Sequence, residues 1–121
     1  MDRKKKVNHK MIRVFHTGAT RNLDTHKLDY DGFLAYPVLH AYAKYMHKHR
    51  RQKDGTWRES DNWQKGIPRE VYRKSAFRHF LDWWNKHRQG KNITTAACAV
   101  IFNLMGDMFE YLKEKKKGAN K

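Results

Sequence analysis

The chain has 121 residues, a formal net charge of +15 and a single cysteine. That length supports one domain with one modest core. The lone Cys98 excludes an internal disulfide, and the longest apolar run, Ala96 to Phe102, is far short of the ~20 residues of a membrane span. The positive excess points to polyanionic partners: nucleic acid, nucleotides or phosphate-rich surfaces.

Residues 1–12 read as a disordered basic arm carrying Arg3, Lys4, Lys5, Lys6 and Lys10. Polar residues rather than an apolar core follow this basic start, so it does not read as a signal peptide, and a soluble, cytoplasmic protein is expected. Phe15 to Asp31 is polar and turn-rich, without sustained periodicity. Residues 13–114 then read as a single helical domain, and residues 115–121 as a basic tail. Terminal lysine runs are more often solvated tails than nucleic-acid readers.

Helical spacing begins at Phe33 or Pro37 and runs to about Arg51, with Leu39, Tyr42, Ala43 and Met46 recurring three and four apart. Lys53-Asp54-Gly55-Thr56 reads as a turn, followed by a loop carrying Trp57. Pro68 suits the first position of a second helix with Glu70 in its first turn; that helix runs to about Arg88 and stops at Gly90. Its apolar stripe is Val71, Tyr72, Ala76, Phe80, Trp83 and Trp84. A third helix runs from Ile93 or Thr94 to Lys116, with Thr94 or Thr95 as its cap. Its expected buried face is Ala97, Val100, Ile101, Leu104, Met108, Tyr111 and Leu112. No segment alternates with period two. The fold expected is all-α: a small bundle of three main helices behind a loop-rich N-terminal segment, with a dimer or tetramer in view at this length.

Four groupings carry chemistry. On the third helix, Asn103, Asp107 and Glu110 fall on one face at spacings of four and three, and a carboxylate pair three apart can offer hard oxygen ligands to Mg²⁺. The plainer reading makes Asp107 and Glu110 solvated residues paired with Lys113, and Asn103 a buried, hydrogen-bonded side chain. On the second helix, His79 and Asp82 are three apart, beside Arg78 and Lys86. They suit phosphate or metal binding, or else form an ordinary salt-bridged surface. Adjacent Trp83 and Trp84 cannot share one narrow core stripe, so one lines a pocket or an interface. Asn62, Trp63, Lys65 and the Gly66 turn lead into a helix N-terminus that can take an anion. His40, His47 and His49 are spaced too widely to chelate one zinc, and no phosphate-loop or hydrolase-elbow motif occurs. Cys98, inside its apolar run, reads as a small buried side chain rather than a nucleophile.

Several segments together resemble a known family. They are Phe15-His16-Thr17-Gly18-Ala19-Thr20-Arg21, Lys27 to Leu34, Tyr45-Met46-His47-Lys48-His49-Arg50, Ser60 to Pro68, Arg78 to Trp84 and Ala97 to Asn103. In this order they are similar to the phage-associated dATP/dGTP diphosphohydrolases (N-terminal domain), relatives of the MazG-like all-α nucleotide pyrophosphatases. The resemblance spans roughly Phe15 to Glu114. It implies a helical bundle that often oligomerises, acting in the host cytoplasm where phage-encoded. It also implies Mg²⁺- or Mn²⁺-dependent conversion of a purine deoxynucleoside triphosphate to monophosphate and pyrophosphate. Under it Asp82, Asp107 and Glu110, with Asp61, serve metal or water activation, and His79 joins Asp82 and Glu110 among the catalytic candidates. Lys65, Arg78 and His79 contact phosphates, Trp63, Trp83 or Trp84 stack on the base, Asn62 joins the substrate-binding candidates, and Asn103 orients the ligand or a carboxylate. Relatives tend to carry acidic residues where this chain has Thr94 and Thr95. The expectation from another class is a basic, nucleic-acid-binding phage accessory protein on the same scaffold, without catalysis.

Overall fold

Beyond the first turn-rich residues the chain becomes helical where its apolar spacing changes, and a computed structural model describes residues 12–23 and 26–119. The basic arm expected over residues 1–12 lies outside the described residues, save Ile12, which opens a strand. The chain divides into two units, Met1–Ala35 and Tyr36–Lys121.

In the first unit, β1 (Ile12–Val14) pairs antiparallel with β2 (Thr20–Asn22), placing Arg13 opposite Arg21. Gly18 at φ +96° closes the connection, its N–H donating to the Phe15 carbonyl at 2.8 Å. The all-α expectation is therefore corrected to a mostly helical fold with a small two-stranded sheet. Strands of three residues are too short to display alternation, so nothing in the pattern announced them. A one-turn helix, α1 (Tyr30–Phe33), follows, with the Asp29 carboxylate accepting from the Gly32 N–H at 2.9 Å.

The second unit holds three long helices: α2 (Tyr36–Lys48), α3 (Arg69–Arg88) and α4 (Thr94–Ala119). A 3-10 turn at Asn62–Lys65 precedes α3. The turn expected at Lys53–Thr56 is present, with Gly55 at φ +88° and the Asp54 carboxylate accepting from both the Thr56 N–H and hydroxyl. Pro68 stands one position outside α3, as its cap, rather than at the first helical position. Gly90, at φ +69°, ends that helix as its spacing implies. The Asn92 side chain, not Thr94 or Thr95, supports the start of α4, accepting from the Thr94 N–H at 2.9 Å. α4 continues through Lys115, Lys116 and Lys117 to Ala119, so most of the expected tail is helix.

α4 is the central element, and its sequence resolves into three stripes of i, i+3, i+4 spacing. Ala96, Ala99, Asn103 and Gly106 are buried on the side that takes α3. Small residues let the two helices approach closely. The Tyr72 ring, 1% exposed, fills the space where a Cβ at position 106 would sit. A second stripe, Cys98, Phe102, Met105 and Phe109, faces α2 and the 3-10 turn: Trp63 packs edge-on to Phe102 and Phe109, and the Tyr42 hydroxyl lies 4.0 Å from the Met105 sulfur.

The third stripe corrects a sequence expectation. Leu104, Met108, Tyr111 and Leu112, expected in the core, are exposed, with Leu104 56% and Met108 60% accessible. Phe77, Phe80, Leu81 and Trp84 of α3 are exposed too. Val71 and Phe80, expected in the α3 core stripe, likewise lie outward. Apolar spacing identifies faces that seek cover; it does not say which face this chain itself covers.

Candidate functional site

The antiparallel α3–α4 pair fixes where each polar side chain sits. Arg69 opens α3 and its guanidinium donates to Asp107 at 2.6 Å and reaches Glu114 at 3.5 Å, so the start of α3 lies beside the second half of α4. Asp82 is thirteen residues further along α3, about 20 Å at 1.5 Å rise per residue, toward the opposite end of the pair. There it pairs with Lys86 at 3.4 Å. Asp61, exposed, precedes the 3-10 turn that packs on another side of α4. The four carboxylates expected to share one metal are therefore dispersed. Among the described residues no three His, Cys, Asp or Glu groups gather as a metal-binding cluster.

Asp107 and Glu110 do stay together, one turn apart on the α4 face toward α3. One Glu110 oxygen meets Lys113 at 3.2 Å, and the side chain is only 14% exposed. The other oxygen, Oε2, is buried with no hydrogen-bond partner, and the Tyr72 hydroxyl is buried and unpartnered as well. Burial pushes the Tyr72 phenol above its ordinary pKa, and the Glu110 charge raises it further. Two orphaned oxygens in one region are costly, because each forgoes water without a replacement, at about 1–3 kcal/mol apiece.

A groove of about 680 Å³ opens between α3 and α4 beside this region. It gathers three of the expected site residues, Arg78, Asn103 and Asp107, with Tyr72 and Arg73, against walls from Phe77, Phe80, Val100 and Leu104. Asn103 is buried, and its amide donates back to the Ala99 carbonyl at 2.8 Å. Cations, a buried amide and aromatic walls in one groove suit an anionic ligand that also carries a ring.

The other expected residues go elsewhere. Asn62 and Trp63 line a cavity of about 470 Å³ with His47, His49, Arg50 and Arg58. Asn62 and Trp63 thus border a different space from Arg78. Trp63 is a packing anchor between two phenylalanine edges, and Lys65 ends the 3-10 turn, exposed. Trp83, half-buried, meets Phe80 and His87 in tilted ring contacts, each with centroids 5.5 Å apart; Trp84 lies outward under Arg88. His79 is half-buried on α3, three residues before Asp82. Thr94 and Thr95 border a third hollow with His40, Lys44 and His47 of α2, where basic rather than acidic groups surround them. Cys98 is 3% exposed, and burial pushes its thiol pKa up, which suits packing rather than nucleophilic work.

Sequence reasoning missed Tyr72 as a site residue, since a tyrosine in a helical apolar stripe carries no mark of an unpartnered hydroxyl. It missed the second cavity for a related reason: Arg50 meets Arg58 only because the Gly55 turn folds the chain back, with the Arg50 side chain donating to the Arg58 carbonyl at 2.8 Å. The chain matches no family model, no curated protein and no solved structure.

Proposed function

We propose that this protein binds a purine deoxynucleoside triphosphate in the α3–α4 groove and hydrolyses it to monophosphate and pyrophosphate. The observation that carries the reading is the buried Glu110 Oε2 left without a partner near the equally unpartnered Tyr72 hydroxyl. A buried acceptor of this kind calls for a cation or a donor from a ligand. The order of segments that resemble the nucleotide diphosphohydrolases supplies the substrate class. Arg73, Arg78 and Lys74 border the groove and suit phosphate oxygens.

The Asp107–Glu110 pair fits Mg²⁺ or Mn²⁺, because Glu110 offers a free buried oxygen and Asp107 a second carboxylate one turn away. Asp82 and Asp61 do not join them within one chain. When bound, the ion would polarise phosphoryl oxygens and lower the pKa of a bound water. The chain's own contribution is to present the Asn103 amide and Tyr72 hydroxyl as hydrogen-bonding groups and to line the groove with apolar walls. The net reaction adds one water across the α–β phosphoanhydride, releasing pyrophosphate and leaving the monophosphate.

The test is pyrophosphate release from each deoxynucleoside triphosphate with Mg²⁺ or Mn²⁺, beside Glu110→Gln and Asp82→Asn. Loss in Glu110→Gln supports the groove; loss in Asp82→Asn alone moves the metal to the other end of the pair. No metal-dependent release from any nucleotide sinks the reading. The net charge of +15 favours a second one, a nucleic-acid-binding accessory protein. It would show as duplex binding that falls steeply with salt while nucleotides stay intact.

A further inference from the structure

Residues 48–59, between α2 and the 3-10 turn, hold five cations, Lys48, Arg50, Arg51, Lys53 and Arg58, against two carboxylates, Asp54 and Glu59. None of the five is ion-paired to a carboxylate among the described residues. The segment is a hydrogen-bonded hairpin rather than a loose loop. The Arg58 N–H donates to the Arg50 carbonyl and the Gln52 N–H to the Thr56 carbonyl, each at 2.8 Å. Gly55 at φ +88° closes the tip, where the Gly55 N–H donates to the Gln52 carbonyl at 3.0 Å.

Trp57 stands on this hairpin with 48% of its surface in water. Arg51 is its direct antiparallel partner, and directly opposite side chains leave a strand pair on the same face. The indole is held from its other neighbours too. The His47 ring lies 5.3 Å from it, centroid to centroid, and the Arg50 guanidinium carbon 5.7 Å from its centroid. The Arg50 Nε donates to the Arg58 carbonyl at 2.8 Å, which fixes that guanidinium beside the ring. A single exposed tryptophan is ordinary. One locked in place by a backbone bridge, beside two arginines without carboxylate partners, is a stacking platform with its counter-charges already placed.

We propose that the Trp57 hairpin binds single-stranded nucleic acid, with an unstacked base on the indole and the adjoining phosphates on Arg50 and Arg51. Two features select this partner. The net charge of +15 and the unpaired cations call for a polyanion. The half-exposed indole calls for one with free ring faces. A duplex has none to give, because its bases already stack on one another, and it meets this surface with phosphates alone. Stacking accepts any base, so the binding is tolerant of sequence. The hairpin contributes nothing to the lining of the α3–α4 groove. The inference rests on the nucleic-acid reading given above and assigns it a structured site apart from the lysine-rich ends.

The experiment is fluorescence anisotropy of a labelled oligothymidine and of a labelled duplex, titrated with the full chain across salt concentration. The proteins are the parent, Trp57→Leu, Trp57→Phe and Arg51→Gln, each checked for helical circular dichroism. Trp57→Leu should weaken oligothymidine binding about tenfold or more and leave duplex binding within about twofold, while Trp57→Phe keeps most of the affinity. Arg51→Gln should weaken both probes and lower the salt slope by about one. Oligothymidine affinity equal in the parent and a folded Trp57→Leu overturns the stacking site, since charge alone then holds the strand. An equal loss for duplex and single strand in Trp57→Leu overturns it as well. Failure of the parent to bind either probe ends the nucleic-acid reading and the hairpin site together.

Discussion

Tyr72 of α3 occupies the volume that a side chain at position 106 of α4 would need: a Cβ built on Gly106 would overlap the Tyr72 ring and hydroxyl. The glycine is therefore a packing requirement, not a turn. Gly106→Ala gains up to ~1 kcal/mol of helix propensity and loses more to overpacking, typically ~1–3 kcal/mol, because the obstruction is a buried ring. Net destabilisation is expected, read as a lower thermal midpoint. Gly118 has open space around its Cβ position. Gly118→Ala in the same helix should be neutral or slightly stabilising, which separates crowding from backbone entropy.

Asn103→Leu separates ligand binding from folding. The lost hydrogen bond runs to the Ala99 carbonyl, four residues back in the same helix, and leucine fills similar volume. Stability should change by about 1 kcal/mol or less. Nucleotide affinity, followed by calorimetry, should fall clearly, since the buried amide is a polar group of the groove. Equal affinity in the variant would remove Asn103 from the site.

Arg69 competes with any cation for Asp107. The pair is 40% and 32% exposed, so breaking it should cost at most ~1 kcal/mol. Arg69→Met should therefore leave the fold intact and raise Mn²⁺ affinity a few-fold, while Asp107→Asn should lower it; titration followed by manganese spin resonance reads both. Opposite signs in the two variants are the expected signature. Unchanged affinity in both would take Asp107 out of metal binding.

Stability should decline in alkali above the pH at which an ordinary tyrosine begins to ionise. Burial, reinforced by Cys98, Tyr45 and Tyr72, pushes the Tyr42 phenol from 10.0 up to about 12. The unfolded chain thus releases this proton first. The contribution is fully present below pH 10 and is lost as pH rises toward 12. Tyr45 and Tyr72 shift in the same direction, and Cys98 adds a loss that begins above 9.0. Phenolate absorbance of the native protein should lag that of the denatured chain over this interval, with the unfolding midpoint falling alongside. Coincident titration curves would contradict the raised Tyr42 phenol.

Helical spacing alone gave α2, α3 and α4 to within a few residues, because periodic apolar positions and the glycine at 90 are local signals. It missed the strands at Ile12–Val14 and Thr20–Asn22, which are too short to express a period. The family resemblance grouped Asp82 with Asp107 and Glu110. Shared chemistry in one dimension became separate ends of a helix pair in three, a separation set by the Arg69–Asp107 register.

The sequence by itself determined that the chain is basic and predominantly helical. Only the tertiary structure decided which stripe of α4 is buried. The Ala96–Ala99–Asn103–Gly106 face takes α3 because small residues admit the Tyr72 ring, and that choice turns Leu104 and Met108 outward. It also leaves one Glu110 oxygen buried without a partner. Close packing is a relation between two surfaces, and neither surface is written in a single helix.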